Sequence, residues 1–236
     1  MIFGANQPYF MPYLGYWQLI NASDVFGVAD NYNYIKRGWV NRNRVLGNMG
    51  PRYITLPVDH ASRNRLISEH SLAPFDADAM LAQLRQEYRT AANLDEGLDL
   101  MHEVLSCPET NLAEFLFHSI EVTCRYLGID TRLIHTSDLP QDPSLRREQR
   151  LYDYCDQLGV TTYYNPIGGT KLYSFEDFRA HGITLGFVRC RPVAYPQVRV
   201  KEFIPNLSII DVVMSTSRQE AHDMLSDFDL ITEECV

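Results

Sequence analysis

The segment at residues 6–16, NQPYFMPYLGY, constrains the fold of this chain more than any other part of it. It follows a short apolar run at 1–5 and precedes an apolar helical pattern at 17–20. Pro12 suits the first position of a helix, because the N–H it lacks is one that a helix start leaves unpaired. The pattern therefore predicts a strand, a stiff loop and a helix whose free N–H groups favour an anion. A purely structural role, with tyrosines packed against a rigid turn, fits the composition equally well.

A second apolar run, DVFGVAD at 24–30, predicts a second strand soon after this helix. Strand, helix and strand in about 30 residues form a right-handed βαβ unit with parallel strands. The loops after both strands then leave the same edge of the sheet, where open α/β sheets bind ligands. Asp30 ends the second run, and we predict it to be an acid–base or orienting carboxylate.

Residues 34–45 combine cations, amides and one indole: Lys36, Arg37, Trp39, Asn41, Arg42, Asn43 and Arg44. Arginine offers a fork suited to phosphate or carboxylate, and the indole offers a stacking plane. If the segment is a strand or hairpin, alternation puts Arg37 and Arg42 on opposite faces, so a site containing both needs a bend. A solvated basic ribbon is the structural alternative to this predicted ligand site.

Helical patterns dominate the middle of the chain, most clearly at 111–127, where apolar residues recur at three- and four-residue steps. Strands and helices alternate again from 131 to 188, as in a parallel sheet. An apolar helix is predicted at 207–214, and a closing helix at 219–228. Asp211 lies within the first of these and needs a partner, for which the candidates are Arg199, Lys201 and Arg37.

These patterns predict the α/β class, with a mostly parallel sheet, flanking helices and a helical middle segment. We expect one domain over residues 1–236, in which the helical segment at about 75–128 separates two α/β parts.

Composition narrows the classes of partner. The formal charge of −9 argues against non-specific nucleic-acid binding and against an anionic membrane surface. No apolar run approaches the roughly 18 residues of a membrane span, and the start of the chain lacks the features of a secretion signal. Five cysteines without a C-x-x-C pair and seven histidines without close spacing predict no metal site. We therefore expect a cytoplasmic protein.

Taken together, several segments resemble the WbqC-like protein family. They are QPYFMPYLGY at 7–16, DVF at 24–26, KRGWVNRN at 36–43, LPV at 56–58, YPQ at 195–197 and FIPNLSIID at 203–211. Asn6 stands where members of that family often carry histidine, so a catalytic histidine does not carry over to this position.

The resemblance implies a function in bacterial surface-polysaccharide biosynthesis, such as that of O-antigen. It implies a transferase that moves an acyl or aminoacyl group, for example glycyl, onto a small polar or nucleotide-linked amino sugar. It names no cofactor. The alternatives are a non-catalytic carbohydrate- or nucleotide-binding module and a nucleotidylyltransferase-like enzyme. The latter rests on a layout similar to the H-x-G-H nucleotidylyltransferases, with Tyr13 and Tyr16 in place of both histidines.

The predicted site follows from these patterns. Asp30 and Asp211 are the predicted catalytic carboxylates. The predicted substrate-binding residues are Gln7, Tyr9, Tyr13, Tyr16, Lys36, Arg37, Trp39, Asn41, Arg42, Asn43, Tyr195 and Gln197.

The functional hypothesis requires that the loop after the first strand and the segment around Trp39 border one cavity with room for an anionic ligand.

Overall fold

The computed structural model describes residues 1–146 and 148–235. The strands are β1 (Ile2–Asn6), β2 (Val25–Val28), β3 (Arg42–Gly47), β4 (Gly50–Thr55), β5 (Arg132–His135), β6 (Thr162–Pro166), β7 (Thr184–Cys190) and β8 (Phe228–Ile231). Six of them form one sheet in the order β5-β2-β1-β6-β7-β8, in which only β8 runs antiparallel to its neighbour. β3 and β4 form a separate antiparallel hairpin. The predicted α/β class with a mostly parallel sheet is confirmed.

Helices cover both faces of the sheet. They are α1 (Leu14–Asn21), α2 (Ala77–Glu87), α3 (Leu94–Leu105), α4 (Leu112–Leu127), α5 (Glu148–Leu158), α6 (Phe175–Ala180), α7 (Ile209–Ser215) and α8 (Arg218–Asp223). Within the described ranges, none of these helices is both long and apolar enough to cross a bilayer.

Alternating side chains of the strands feed two hydrophobic cores. Phe26 and Tyr164 point to the larger core, which also holds α4 and α7, whereas Phe3 and Tyr163 point to a smaller core that includes Phe178 of α6. Successive residues of a strand face opposite sides, so both cores grow from the same buried strands.

Two local predictions were wrong. Pro12 does not begin the helix: α1 starts at Leu14, and the Pro12 carbonyl accepts hydrogen bonds from Trp17 Nε1 and the Ile209 N–H, at 3.0 and 2.9 Å. The predicted helix at 219–228 ends at Asp223, because β8 adds an edge strand from Phe228 onward. Residues 36–41 form turns and bends before the strand begins at Arg42, so Arg37 and Arg42 do not share one strand.

The sheet order creates a switch point between β1 and β6. From β1 the chain passes outward to β2 and β5, and from β6 it passes to β7 in the opposite direction. Loops at the carboxyl ends of two such central strands diverge and leave a crevice. The loops at residues 7–13 and 167–173 border this crevice.

Asp211 is completely buried in α7, and neutral donors satisfy it. The hydroxyls of Tyr88 and Tyr195 and the Nε2 of Gln197 each donate to its carboxylate at 2.8 Å. Burial raises the pKa of Asp211, although these three hydrogen bonds oppose that shift. The predicted cationic partners were wrong: Arg199, for example, donates to the Glu87 carbonyl instead.

Asp30 forms a second buried cluster where β2 and β5 end. Ser137 donates to it through its N–H at 3.1 Å and its hydroxyl at 2.7 Å, and His135 Nδ1 lies 3.3 Å from its carboxylate. Burial opposes ionisation of Asp30, but the nearby His135 and the hydrogen bonds from Ser137 outweigh it and lower the pKa of Asp30. Burial likewise opposes protonation of His135, but Asp30 and Glu114 raise its pKa.

The Asp211 network should stabilise the fold. We expect Asp211→Ala to lower the free energy of unfolding by about 3 kcal/mol, because three buried donors lose their acceptor. Urea denaturation measures the change. Asp99→Ala, at an exposed position of α3, is the control and should stay within about 0.5 kcal/mol of the parent protein. An Asp211→Ala protein as stable as this control would contradict a stabilising network.

The Asp30–His135 cluster should make stability depend on pH in a defined direction. Because the His135 pKa is raised in the folded state, its contribution is fully present below the unfolded value of 6.5 and is lost as pH rises through the folded value. The stability difference between the parent and His135→Gln should therefore shrink from pH 6 to pH 9 in urea titrations. His102→Gln, which replaces an exposed histidine of α3, should show no such trend. A constant difference across this range would contradict the assignment.

Candidate functional site

A cavity of about 440 Å³ occupies the crevice at the switch point. We call it the tyrosine cavity, since its polar lining consists of Asn6, Gln7, Tyr9, Tyr13, Tyr32, Tyr163, Asn165 and Tyr173. Strands β1 and β6 supply its floor through Ala5 and Asn165, and Leu151 of α5 contributes to its wall. Its place outside the carboxyl ends of parallel strands is where sheets of this class bind small molecules.

A second cavity, of about 480 Å³, adjoins the first. We call it the arginine cavity; it is lined by Tyr9, Tyr13, Trp39, Asn43, Arg44, Ile167, Val188, Arg189, Cys190 and Asn206. Tyr9 and Tyr13 line both cavities. The two cavities therefore share an aromatic wall, and we refer to them together as the cleft.

The loop at residues 7–13 is fastened at its centre, which fixes this shared wall. The Phe10 N–H donates to the Val40 carbonyl at 2.9 Å, and Asn43 Nδ2 donates to the Phe10 carbonyl at 3.2 Å. The Ser208 hydroxyl donates to the carbonyl of Met11 at 2.6 Å. Met11 has a φ of 45°, a left-handed conformation that a buried side chain without special stabilisation rarely adopts. Contacts from β3 and the start of α7 thus hold a strained loop in place.

Asn165 and Gly169 shape the floor of the tyrosine cavity. Asn165 is 9% exposed, and its Nδ2 donates to the Tyr163 hydroxyl at 2.7 Å. A Cβ at Gly169 would collide with the Asn165 amide oxygen, so any other residue there would force the Asn165 side chain to move. The sequence analysis missed Asn165; its position at the end of a strand, just before a Gly-Gly pair, was the available signal.

The tyrosine cavity is uncharged at neutral pH. Burial raises the pKa of Tyr9, Tyr13, Tyr32 and Tyr163, and raises that of Tyr173 to about 12. All five hydroxyls therefore stay protonated, and no described residue of the lining is an acid or a cation. Such a surface suits a ligand group that both donates and accepts hydrogen bonds without carrying charge.

The arginine cavity carries positive charge. Arg189 is paired with Asp229 at 2.7 Å, but Arg44 forms no ion pair with any described residue. Burial raises the pKa of the Cys190 thiol, so this cysteine stays protonated and is a poor nucleophile.

The structure brings five of the predicted ligand residues to the cleft: Gln7, Tyr9, Tyr13, Trp39 and Asn43. Lys36 and Arg37 lie on an exposed turn that lines neither cavity. The Arg42 guanidinium lies over the Tyr53 ring, 4.2 Å from its centroid, and donates to the Gly38 and Arg37 carbonyls. Arg44, which the prediction did not select, is the cation of this segment that lines the cleft.

The remaining predicted residues have internal partners. Asn41 bonds to Tyr34 and to the Leu56 carbonyl, and the buried Tyr16 donates to the Gln7 carbonyl at 3.0 Å. Tyr195 and Gln197 both donate to Asp211. Neither Asp30 nor Asp211 lines the cleft, so their catalytic roles stay predictions without geometric support.

Comparison with known proteins places this cleft in a family. The chain is 32% identical over 176 residues to the uncharacterized protein Rv1507c of Mycobacterium tuberculosis strain H37Rv, a match covering 73% of this chain and 74% of that protein. No solved structure matches significantly. The model of the WbqC-like protein family matches residues 7–223, a range that contains the loop at 7–13, Arg44, Asn165 and Gly169. The chain therefore belongs to the WbqC-like protein family.

Proposed function

We propose that this protein binds a nucleotide-linked sugar in the cleft and transfers an acyl or aminoacyl group, such as glycyl, onto the sugar. One observation carries the binding part of this proposal. Two cavities of different character adjoin at the switch point of the sheet and share Tyr9 and Tyr13. A ligand with an uncharged ring at one end and an anionic linkage beside it matches that arrangement.

The polar lining of the tyrosine cavity supports a sugar as the uncharged group. Sugar hydroxyls both donate and accept hydrogen bonds, as do protonated tyrosine hydroxyls and the amides of Gln7 and Asn165. Aromatic rings also offer flat surfaces to the apolar faces of a sugar. This lining holds ligand through many neutral contacts rather than through charge.

The proposed reaction class comes from the association of the WbqC-like family with polysaccharide biosynthesis. In the proposed step, the amine nitrogen of an amino sugar attacks the acyl carbonyl carbon of a donor. A C–N bond forms, the bond from the acyl carbon to its carrier breaks, and the amine proton leaves with the carrier. The protonated state of Cys190 favours this direct transfer over an acyl-cysteine intermediate.

A non-catalytic binding module is the second candidate. It is favoured by the absence of a carboxylate among the described residues that line the two cavities. In that case the cleft holds the same sugar for a partner enzyme, and Tyr9 and Tyr13 serve recognition alone.

Filling the tyrosine cavity should abolish ligand binding without unfolding the protein. Gly168 lines this cavity, and a Cβ added there meets no other atom within 4 Å, so we expect Gly168→Trp to project an indole into the cavity. We expect at least a tenfold loss of affinity for the best nucleotide-linked sugar from a thermal-shift panel, measured by isothermal titration calorimetry. Thr170→Trp is the matched control, because Thr170 lies in the same 3-10 turn (Ile167–Lys171) but lines neither cavity, and it should bind normally. Equal binding by both variants would place the ligand elsewhere.

The transfer itself is tested with the intact protein. Incubation of a nucleotide-linked amino sugar with acyl and glycyl thioesters should yield a product heavier by one acyl group in mass spectrometry. Gly168→Trp should give none, and Thr170→Trp should give the parent yield. Binding without any product across a broad donor panel would support the binding module instead.

A further inference from the structure

We infer that Arg44 is the anion anchor of the cleft and that the arginine cavity holds the diphosphate of the nucleotide-linked sugar. This inference rests on the proposed function, because that function supplies the sugar on one side and the nucleotide on the other. It assigns a ligand contact to a residue that the sequence analysis passed over.

Arg44 is left with unused hydrogen-bonding capacity. It lies in β3 opposite Tyr53, and its Nε is shielded from solvent yet has no hydrogen-bond partner in the described part of the chain. Its outer nitrogen reaches only the Pro205 and Asn206 carbonyls, at 3.5 and 3.4 Å, which is longer than a good N–H···O hydrogen bond. A guanidinium has five N–H donors. A guanidinium that is partly shielded from water and has poor acceptors costs free energy, and a bound anion would offset that cost.

The charge of Arg44 is also uncompensated. The other cation of the cavity, Arg189, is neutralised by Asp229, which also binds Arg191 at 2.7 Å. No described residue of the cavity lining is an acid. Two other partly buried arginines have strong partners outside the cavity: Arg52 binds Glu87 through two nitrogens, at 2.6 and 2.5 Å, and the Arg42 guanidinium lies 4.2 Å from the centroid of the Tyr53 ring. Arg44 differs from both because it lines an open cavity and has only long contacts to carbonyls.

The neighbours of Arg44 favour a diphosphate over a smaller anion. Tyr9 and Tyr13 line the same cavity, and burial keeps their hydroxyls protonated and able to donate to phosphate oxygens. Because both also line the tyrosine cavity, an anion bound here is next to the proposed sugar position. Trp39 also lines this cavity, is 42% exposed and offers a stacking surface for a nucleobase. Nucleobase, diphosphate and sugar thus each have a matching surface.

Calorimetric titration with inorganic pyrophosphate and with UDP tests the assignment. We expect Arg44→Gln to weaken both at least tenfold, while any affinity for uridine changes less than twofold. Arg44→Lys keeps the charge without the fork and should recover part of the loss. Arg63→Gln removes an exposed arginine that lines neither cavity and is the control for net charge; it should bind as the parent does.

Thermal unfolding separates anchoring from a structural role. Without ligand, Arg44→Gln should unfold at the same or a higher temperature, because the unpaired charge is gone. A lower unfolding temperature together with equal loss of uridine and UDP affinity would overturn the inference in favour of a structural role.

Other outcomes are equally decisive. Unchanged pyrophosphate affinity in Arg44→Gln, or no pyrophosphate binding by the parent protein, overturns the anchor while leaving the proposed function open to its own test. Arg44-dependent binding of malonate with none of pyrophosphate replaces the diphosphate by a carboxylate and overturns the assignment. Arg44-dependent pyrophosphate binding by a protein that binds no nucleotide-linked sugar keeps the anion site and removes the proposed function.

Discussion

The fastening of the loop at residues 7–13 is the constraint on which the rest of the site depends. Hydrogen bonds from Asn43 and Ser208 to the Phe10 and Met11 carbonyls join three distant parts of the chain: the end of β1, the hairpin and the start of α7. Buried carbonyls need such partners, and here they also offset the left-handed backbone of Met11. These hydrogen bonds fix the loop that carries Tyr9 and Tyr13, the two residues that line both cavities.

The charged side chains in the interior of this protein differ in whether they have good partners within the fold. Asp211 has three neutral donors and Asp30 has Ser137 and His135, so both carboxylates are satisfied within the fold. Buried polar groups are normally paired in this way. Arg44 Nε is one of several described side-chain atoms that depart from this rule, and Arg44 also lines an open cavity. A buried acid whose partners all lie within the fold is therefore weaker support for a functional role than a poorly partnered cation at a cavity.

Local patterns predicted the fold because the signals for it are local. The strand, loop, helix and strand over residues 1–28 and the apolar period of α4 needed no distant contact to be recognised. Deciding whether Arg42 or Arg44 lines the cleft does require knowledge of distant contacts. Arg42 is taken up by the Tyr53 ring and by the turn carbonyls, and β3 starts only at residue 42. Asn165 was not predicted for the same reason, because its position in the same cavity as Gln7 depends on the pairing of β1 with β6.

The positive charge that faces the cleft lies on Arg44 of β3, whereas the sequence pattern predicted an anion site at the start of α1. In the H-x-G-H layout that the loop resembles, the motif that opens the helix lies beneath the phosphates. Here Tyr13 and Tyr16 replace the histidines, and a tyrosine side chain cannot become a cation. Burial raises the pKa of both, so neither becomes an anion near neutral pH. Tyr16 is also buried against the Gln7 carbonyl. In the proposed complex, a phosphate in this cleft takes its charge compensation from Arg44 of the β3–β4 hairpin and not from a side chain of α1.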